Sequence, residues 1–130
     1  MRITELGRDE LVAAVPPDHR WVARRRVQVR DFQDEPVIIY DRQSQITELT
    51  LGFLLAEGVF PRVVAEIEHL EAVKEMVQRR LGVAVVPAWT IRREVAAGVL
   101  AAVGLGRTGL VRSWGLIYPE KRHTGSGRES

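Results

Sequence analysis

The chain has 130 residues, enough for one compact domain, and 45% of them are hydrophobic, which supplies a core and excludes a disordered chain. Nineteen basic and seventeen acidic residues leave a net charge of only +2, and the arginine clusters (Arg24-Arg25-Arg26, Arg79-Arg80, Arg92-Arg93) are dispersed as solvated surface, not gathered into a nucleic-acid footprint. With no cysteine there are no disulfides, thiolate metal sites or cysteine nucleophiles, and no apolar run approaches the roughly 20 residues that cross a bilayer.

In chain order, Leu11 to Val15 is an unbroken apolar run that ends at Pro16-Pro17, and it reads as a strand buried on both faces. Val27 to Phe32 is polar and reads as a short helix or turn. Val37 to Tyr40 is the next strand, and it stops at the polar turn Asp41-Arg42-Gln43-Ser44-Gln45. Ser44 suits the N-cap of a following helix, because its hydroxyl accepts from an amide left unpaired in the first turn. Ile46, Leu49, Phe53 and Leu54 recur at helical spacing, and Gly58 and Pro61 end that helix.

From Val63 to Glu68 the pattern alternates, with Val63, Ala65 and Ile67 on one face and Glu66 and Glu68 on the other. A second helix spans Leu70 to about Arg80. It turns Leu70, Val73 and Val77 inward and Glu71, Lys74, Glu75 and Arg79 outward. Leu81-Gly82 releases a strand over Val83–Val86, and Thr90 to Ala97 forms a short third helix stopped by Gly98. Apolar runs at Val99–Leu105 and Ser113–Tyr118 flank the turn-rich Gly104–Gly109, and a frayed tail is expected from Glu120 onward. Strands alternating with helices predict an α/β fold with a parallel sheet, in which ligands bind beyond the carboxyl ends of the strands.

That rule directs attention to the corner from Tyr40 to Ile46. Unpaired amides of a helix start, the Ser44 hydroxyl and the side chains of Arg42, Gln43 and Gln45 suit a small polar or anionic ligand. A capped surface turn with no ligand is the plainer alternative. Ser44 does not read as a nucleophile, because its neighbours lack the glycines that relieve a nucleophile elbow. His19, His69 and His123 have no partner at i,i+4, so no metal is expected. Glu66 and Glu68 share a strand face, as acid–base pairs do, but an alternating strand requires a polar face there anyway. Gly104-x-Gly-x-x-Gly109 has the letters of a dinucleotide fingerprint without the helix that should follow, and reads as a loop. These residues leave a ligand site and a plain capped turn both open, with no catalytic residue, metal or cofactor expected.

Five segments in this order resemble the effector-binding domain of LysR-type bacterial transcriptional regulators: Leu11 to Arg20, Val29 to Tyr40, Gly58 to Glu68, Leu81 to Pro87 and Arg92 to Gly98. The resemblance covers about residues 3 to 120. It implies a periplasmic-binding-protein-like (type II) α/β architecture, in which two lobes joined by two crossover strands hold an effector between them. Residues 18–111 would be lobe II, a mostly parallel sheet flanked by helices. Residues 1–17 and 112–120 would be a remnant of lobe I with the crossover strands, Leu11–Val15 and Trp114–Tyr118, and 121–130 a flexible tail.

Carried over residue by residue, Tyr40, Arg42, Gln43, Ser44, Gln45 and Ile46 match the family's effector-contact loop, and Glu68 and His69 end the next strand toward the same cleft. The implied function is sensing of a small-molecule effector, an organic anion, by a cytoplasmic, self-associating (homodimeric) regulator of transcription that does not touch a membrane. The family's helix-turn-helix and linker helix are absent, so this chain would not contact DNA itself. The second lobe would be incomplete, since half of lobe I and the last helix are missing, and the chain looks like a fragment. That loss would expose apolar faces of Leu11–Val15 and Leu116–Tyr118 and favour association. Arg80 stands where the family has the first glycine of Gly-Leu-Gly, which predicts an altered helix ending. The alternatives are a solute-binding protein of a transport system, which needs an export signal that Met1–Glu5 does not begin, and a small α/β enzyme using Ser44 or the Glu66/Glu68 pair.

Overall fold

The computed structural model describes residues 2–24 and 26–118, so the tail expected from Glu120 lies outside the described residues. In chain order its elements are β1 (Arg2–Val15), β2 (Arg26–Val27), β3 (Pro36–Tyr40), α1 (Gln45–Leu55), β4 (Arg62–Ile67), α2 (Leu70–Gln78), β5 (Ala84–Pro87), α3 (Arg92–Ala96), β6 (Ala101–Leu105) and β7 (Leu110–Tyr118). Short 3-10 turns occupy Arg20–Ala23, Val29–Asp34 and Ala88–Ile91.

The end of β1 is the centre of the sheet. Leu11 to Ala14 pair antiparallel with β5, and Val12 to Val15 pair antiparallel with β6 on the opposite edge. Outside β6, β2 runs parallel to it. Outside β5, β3 joins through a parallel bridge between Val37 and Val83, closed by Ile38 N–H to Val83 O at 2.8 Å and Val83 N–H to Pro36 O at 2.9 Å. Beyond β3 lies β4, again parallel. The order is thus β4-β3-β5-β1-β6-β2, and every strand but β1 runs the same way. The sheet is mostly parallel in direction, as the strand–helix alternation predicts, with one reversed strand at its middle.

Alternation along β1 explains why its apolar run has no polar face. Leu11, Ala13 and Val15 pack to one side with Val37, Ile39, Trp21, Phe32 and the α1 residues Ile46 and Leu54. Val12 and Ala14 pack to the other with Ile38, Val73 and Val77 of α2, Ile91 and Leu100. Each large side chain buried this way contributes about 1.5–3 kcal/mol. Leu11 and Val15 are 0% exposed. The apolar strand face expected to be uncovered there is covered, because α1 and α2 close both sides of the sheet.

Outside the lobe, β1 continues toward its N-terminus against β7, which begins at Leu110, earlier than the Ser113 expected from hydropathy. The two-stranded ladder therefore pairs Arg2–Leu11 with Leu110–Tyr118, so Leu11–Val15 and Trp114–Tyr118 are not paired with each other. Asp9 and Arg112 sit directly opposite in this ladder and form a two-point ion pair (3.1 and 2.8 Å). Hydrogen bonding from Arg112 holds the Asp9 carboxyl below its usual range, against the opposing effect of burial.

Two features of α2 depart from expectation. Arg80, in place of the expected glycine, adopts φ +64°, and the helix still ends in the usual way: Arg80 N–H bonds Val77 O at 2.9 Å and Leu81 N–H bonds Met76 O at 3.1 Å. Its side chain pairs with Asp18. Lys74, expected on the outer face, is only 5% exposed. Its ammonium donates to Thr90 O at 2.8 Å and pairs with Glu71 and Glu94, each at 2.9 Å, which ties α2 to the segment leading into α3. The outward Glu75–Arg79 pair is present at 2.8 Å. In β4, a register shift opposite Val37/Ile38 leaves Val63 exposed while Ala65 and Ile67 pack inward.

Gly82 is required by contact, since an added Cβ would lie 2.8 Å from Pro36 O, the acceptor that joins β3 to β5. Gly82→Ala is expected to cost about 1–3 kcal/mol in urea unfolding, whereas Arg80→Gly relieves a left-handed conformation and is expected to stabilise by up to about 1 kcal/mol.

Lys74→Met should cost about 2 kcal/mol at neutral pH, because it strands the mostly covered Glu94 carboxylate without its partner. Lys74 hydrogen bonding lowers the Glu94 carboxyl from 4.5, so that stabilisation is present above pH 4.5 and is lost as pH falls through the lower folded value. For the Lys74 ammonium, burial pulls down but Glu71 and Glu94 outweigh it and raise it from 10.5, so its share is present below pH 10.5 and fades as pH rises through the higher folded value. The difference between wild type and variant, read from unfolding curves, should therefore shrink below pH 4.5.

Candidate functional site

Because β3 and β4 are parallel and Tyr40 lies opposite Ile67, the turns that leave them emerge side by side. One is the corner Asp41–Ser44 entering α1, and the other is Glu68–His69 entering α2. The structure thus brings together the two stretches singled out from sequence.

The corner is built from local hydrogen bonds. Asp41 Oδ1 accepts from Gln43 N–H at 3.0 Å, and Asp41 O accepts from Ser44 N–H at 2.9 Å. Ser44 is the N-cap of α1: its Oγ accepts from Thr47 N–H at 3.1 Å and donates to Thr47 Oγ1 at 3.3 Å. Thr47 Oγ1 in turn donates to Tyr40 O at 2.8 Å, which ties the first turn of α1 to the end of β3. Half-buried Tyr40 packs against both hydrophobic clusters. Ile46, 7% exposed, anchors α1 in the core, so only its backbone faces the corner.

Arg42 does not project freely. Its Nε donates to Glu66 Oε1 at 3.1 Å and its amide to Glu66 Oε2 at 3.3 Å, so one carboxylate spans from β4 to the corner. Glu66 thereby acts as a bracket for the turn, not as one half of an acid–base pair with Glu68. The amides of Arg42, Gln43, Ser44 and Thr47 are satisfied by these bonds. Those of Gln45 and Ile46, in the first turn of α1, have no protein partner among the described residues. Gln43 and Gln45 are exposed, as are Glu68 and His69. His69 is the N-cap of α2 but makes no capping bond with its imidazole.

What the corner offers chemically is two free amides at the positive end of a helix and two exposed carboxamides, beside an arginine already matched by Glu66, with the exposed Glu68 carboxylate and His69 imidazole at the neighbouring strand exit. That is a set for binding an anion or a polar oxygen. Ser44 lacks an adjacent base, and its hydroxyl is committed at both ends. Among the described residues no group of His, Asp and Glu could hold a metal ion. His19 is occupied elsewhere: its Nδ1 caps the turn at Trp21 N–H (3.1 Å) and its Nε2 meets Glu35 at 3.2 Å. His123 lies outside the described residues. No described helix is long and apolar enough to cross a membrane.

Sequence reasoning missed the partners that brace this end of the sheet: Glu66 for Arg42, Lys74 for Glu94 and Asp9 for Arg112. Lys74 carried a usable signal, since it lies four residues after Leu70 and three before Val77, on the inward stripe. The other two pairs join segments distant in sequence and have no local signature.

The family model described as LysR substrate binding domain matches residues 1–127. Among curated proteins, the RuBisCO operon transcriptional regulator of Acidithiobacillus ferrooxidans is 31% identical over 109 residues, covering 84% of this chain and 35% of that protein. Among solved structures, the regulatory domain of Synechocystis PCC6803 CcmR in complex with 2-PG superposes with a TM-score of 0.78 at 20% identity, covering 87% of this chain and 54% of that one. The effector-binding domain of QuiR in complex with shikimate gives 0.72 at 17% identity, with 86% and 52% covered. The chain thus spans about a third of the curated relatives it matches and about half of these domains. A family match along nearly the whole sequence, on a lobe of the same fold, establishes that this chain belongs to the LysR substrate-binding domain family.

Proposed function

We propose that this chain is the effector-sensing part of a LysR-type transcriptional regulator, and that the corner Tyr40–Ile46, with Glu68 and His69, contributes one wall of the effector site. The observation that supports this reading is the exit of β3 and β4 at one end of the sheet, where α1 begins with two unpaired amides. Residues 18–111 form lobe II in this reading, and the ladder of β1 with β7 carries the crossover to lobe I. The ligand is a small organic anion, in keeping with the amides and carboxamides and with the 2-PG and shikimate bound by the two structural relatives.

Sensing needs no catalysis. A bound anion that contacts both lobes favours the arrangement in which both contacts exist, and the regulator's lobe and subunit geometry shifts by that difference in affinity. The working protein in this reading is a cytoplasmic homodimer whose DNA contacts lie outside this chain. The family match favours a regulator over a transport protein or a small α/β enzyme.

Isothermal titration with shikimate and a panel of small organic acids is expected to find a binder whose affinity falls about tenfold in Gln43→Ala. Ser44→Ala should lower unfolding stability by about 1 kcal/mol through loss of the helix cap and weaken binding in parallel. Undiminished binding in both variants would remove the corner from the site.

A further inference from the structure

A cleft of about 520 Å³ opens between the start of α2 and the segment from Trp89 to Glu94, and none of the corner residues lines it. Its size falls within the range of small-molecule pockets. Three features decide what it suits. Lys74 in its wall is spent, because Thr90 O, Glu71 and Glu94 take up its ammonium. Arg92 and Arg93 at the rim are exposed and make no ion pair among the described residues, so they are the cations left for a ligand.

The third feature is Trp89. It is 56% exposed, unlike the fully buried Trp21, yet it is not loose. Its indole N–H donates to Asp9 Oδ2 at 3.0 Å, and Asp9 is held by Arg112. The polar edge of the ring is thus tethered while much of the ring remains uncovered beside half-buried Leu70. A neutral aromatic would cover the ring but leave both guanidinium groups unpaired, and a small inorganic anion would do the reverse. A flat apolar body carrying a carboxylate satisfies both, through stacking on indole and charge-assisted bonds to arginine.

We propose that this cleft is a second ligand site, which binds a planar carboxylate-bearing small molecule on Trp89, Arg92 and Arg93 independently of the Tyr40–Ile46 corner. Its occupant sits one hydrogen bond from Asp9, so it acts directly on the ladder of β1 with β7.

The probe is 2-naphthoate, titrated into the whole chain while the Trp89 indole N–H is followed by heteronuclear NMR, with the resonance assigned by its loss in Trp89→Phe. The proposal expects a saturable shift of that resonance, an affinity about tenfold or more weaker in the Arg92→Gln/Arg93→Gln double variant, and unaltered affinity in Gln43→Ala. Both arginines are exposed, so the double variant should keep the wild-type melting curve. No saturable shift, equal affinity for the neutral 2-naphthalenemethanol, or full affinity in the folded double variant would each overturn it, as would loss of 2-naphthoate binding in Gln43→Ala. Failure of the corner reading registers separately, in the shikimate titrations of Gln43→Ala and Ser44→Ala.

Discussion

The run Leu11–Val15 has neither a free face nor a free edge, and the rest of the fold is arranged around that constraint. Two edges demand two neighbouring strands, supplied by β5 and β6. Two apolar faces demand two covering layers, supplied by α1 with the Trp21 and Phe32 turns on one side and by α2 with Ile91 and Leu100 on the other. Once β5 is set beside β1, the Val37–Val83 bridge sets β3, and β3 sets β4. The position of the Tyr40–Ile46 corner follows from this order, because a parallel sheet brings successive strand exits to one end, where helix starts leave amides unpaired.

The braces at that end are ionic and mostly cross between elements. Glu66 holds the Arg42 turn, Lys74 clamps α2 to the segment before α3, and Asp9 with Arg112 locks the ladder that leaves the lobe. Each pair matches the charges of both its members. In the proposed reading the arrangement separates residues that hold shape from residues offered to a ligand: Gln43, Gln45, Glu68 and His69 at the corner, and Trp89, Arg92 and Arg93 at the cleft. In the proposed sensor that division matters, since a ligand must meet groups that are fixed in position yet not already satisfied.

Trp89 is the point where the two ends of this scheme meet. Its indole is part of the cleft, and its N–H is bonded to the carboxylate that pairs β1 with β7. A molecule bound on the Trp89 ring, as proposed, would sit one side chain away from that ladder. It is also a connection across eighty positions of sequence, from Asp9 to Trp89.

The sequence by itself determined the local features. The proline stop after Val15, the Ser44 cap, the Gly58 helix ending and the strand–helix alternation were all legible, because each depends on residues within one or two turns of each other. The corner was legible for the same reason, as a polar turn between an apolar strand and an amphipathic helix. The tertiary structure decided what depends on distant partners: that β1 runs against its neighbours, that Leu11–Val15 pairs with β5 and β6 and not with Trp114–Tyr118, and that Arg42, Asp9 and Lys74 are already bound. It also retained a helix ending at Arg80 that local preference disfavours, closed by Arg80 N–H to Val77 O and Leu81 N–H to Met76 O. Periodicity reports which way a side chain turns. Whether its charge is free or matched depends on what the folded chain brings opposite, and that is a property of the packed sheet.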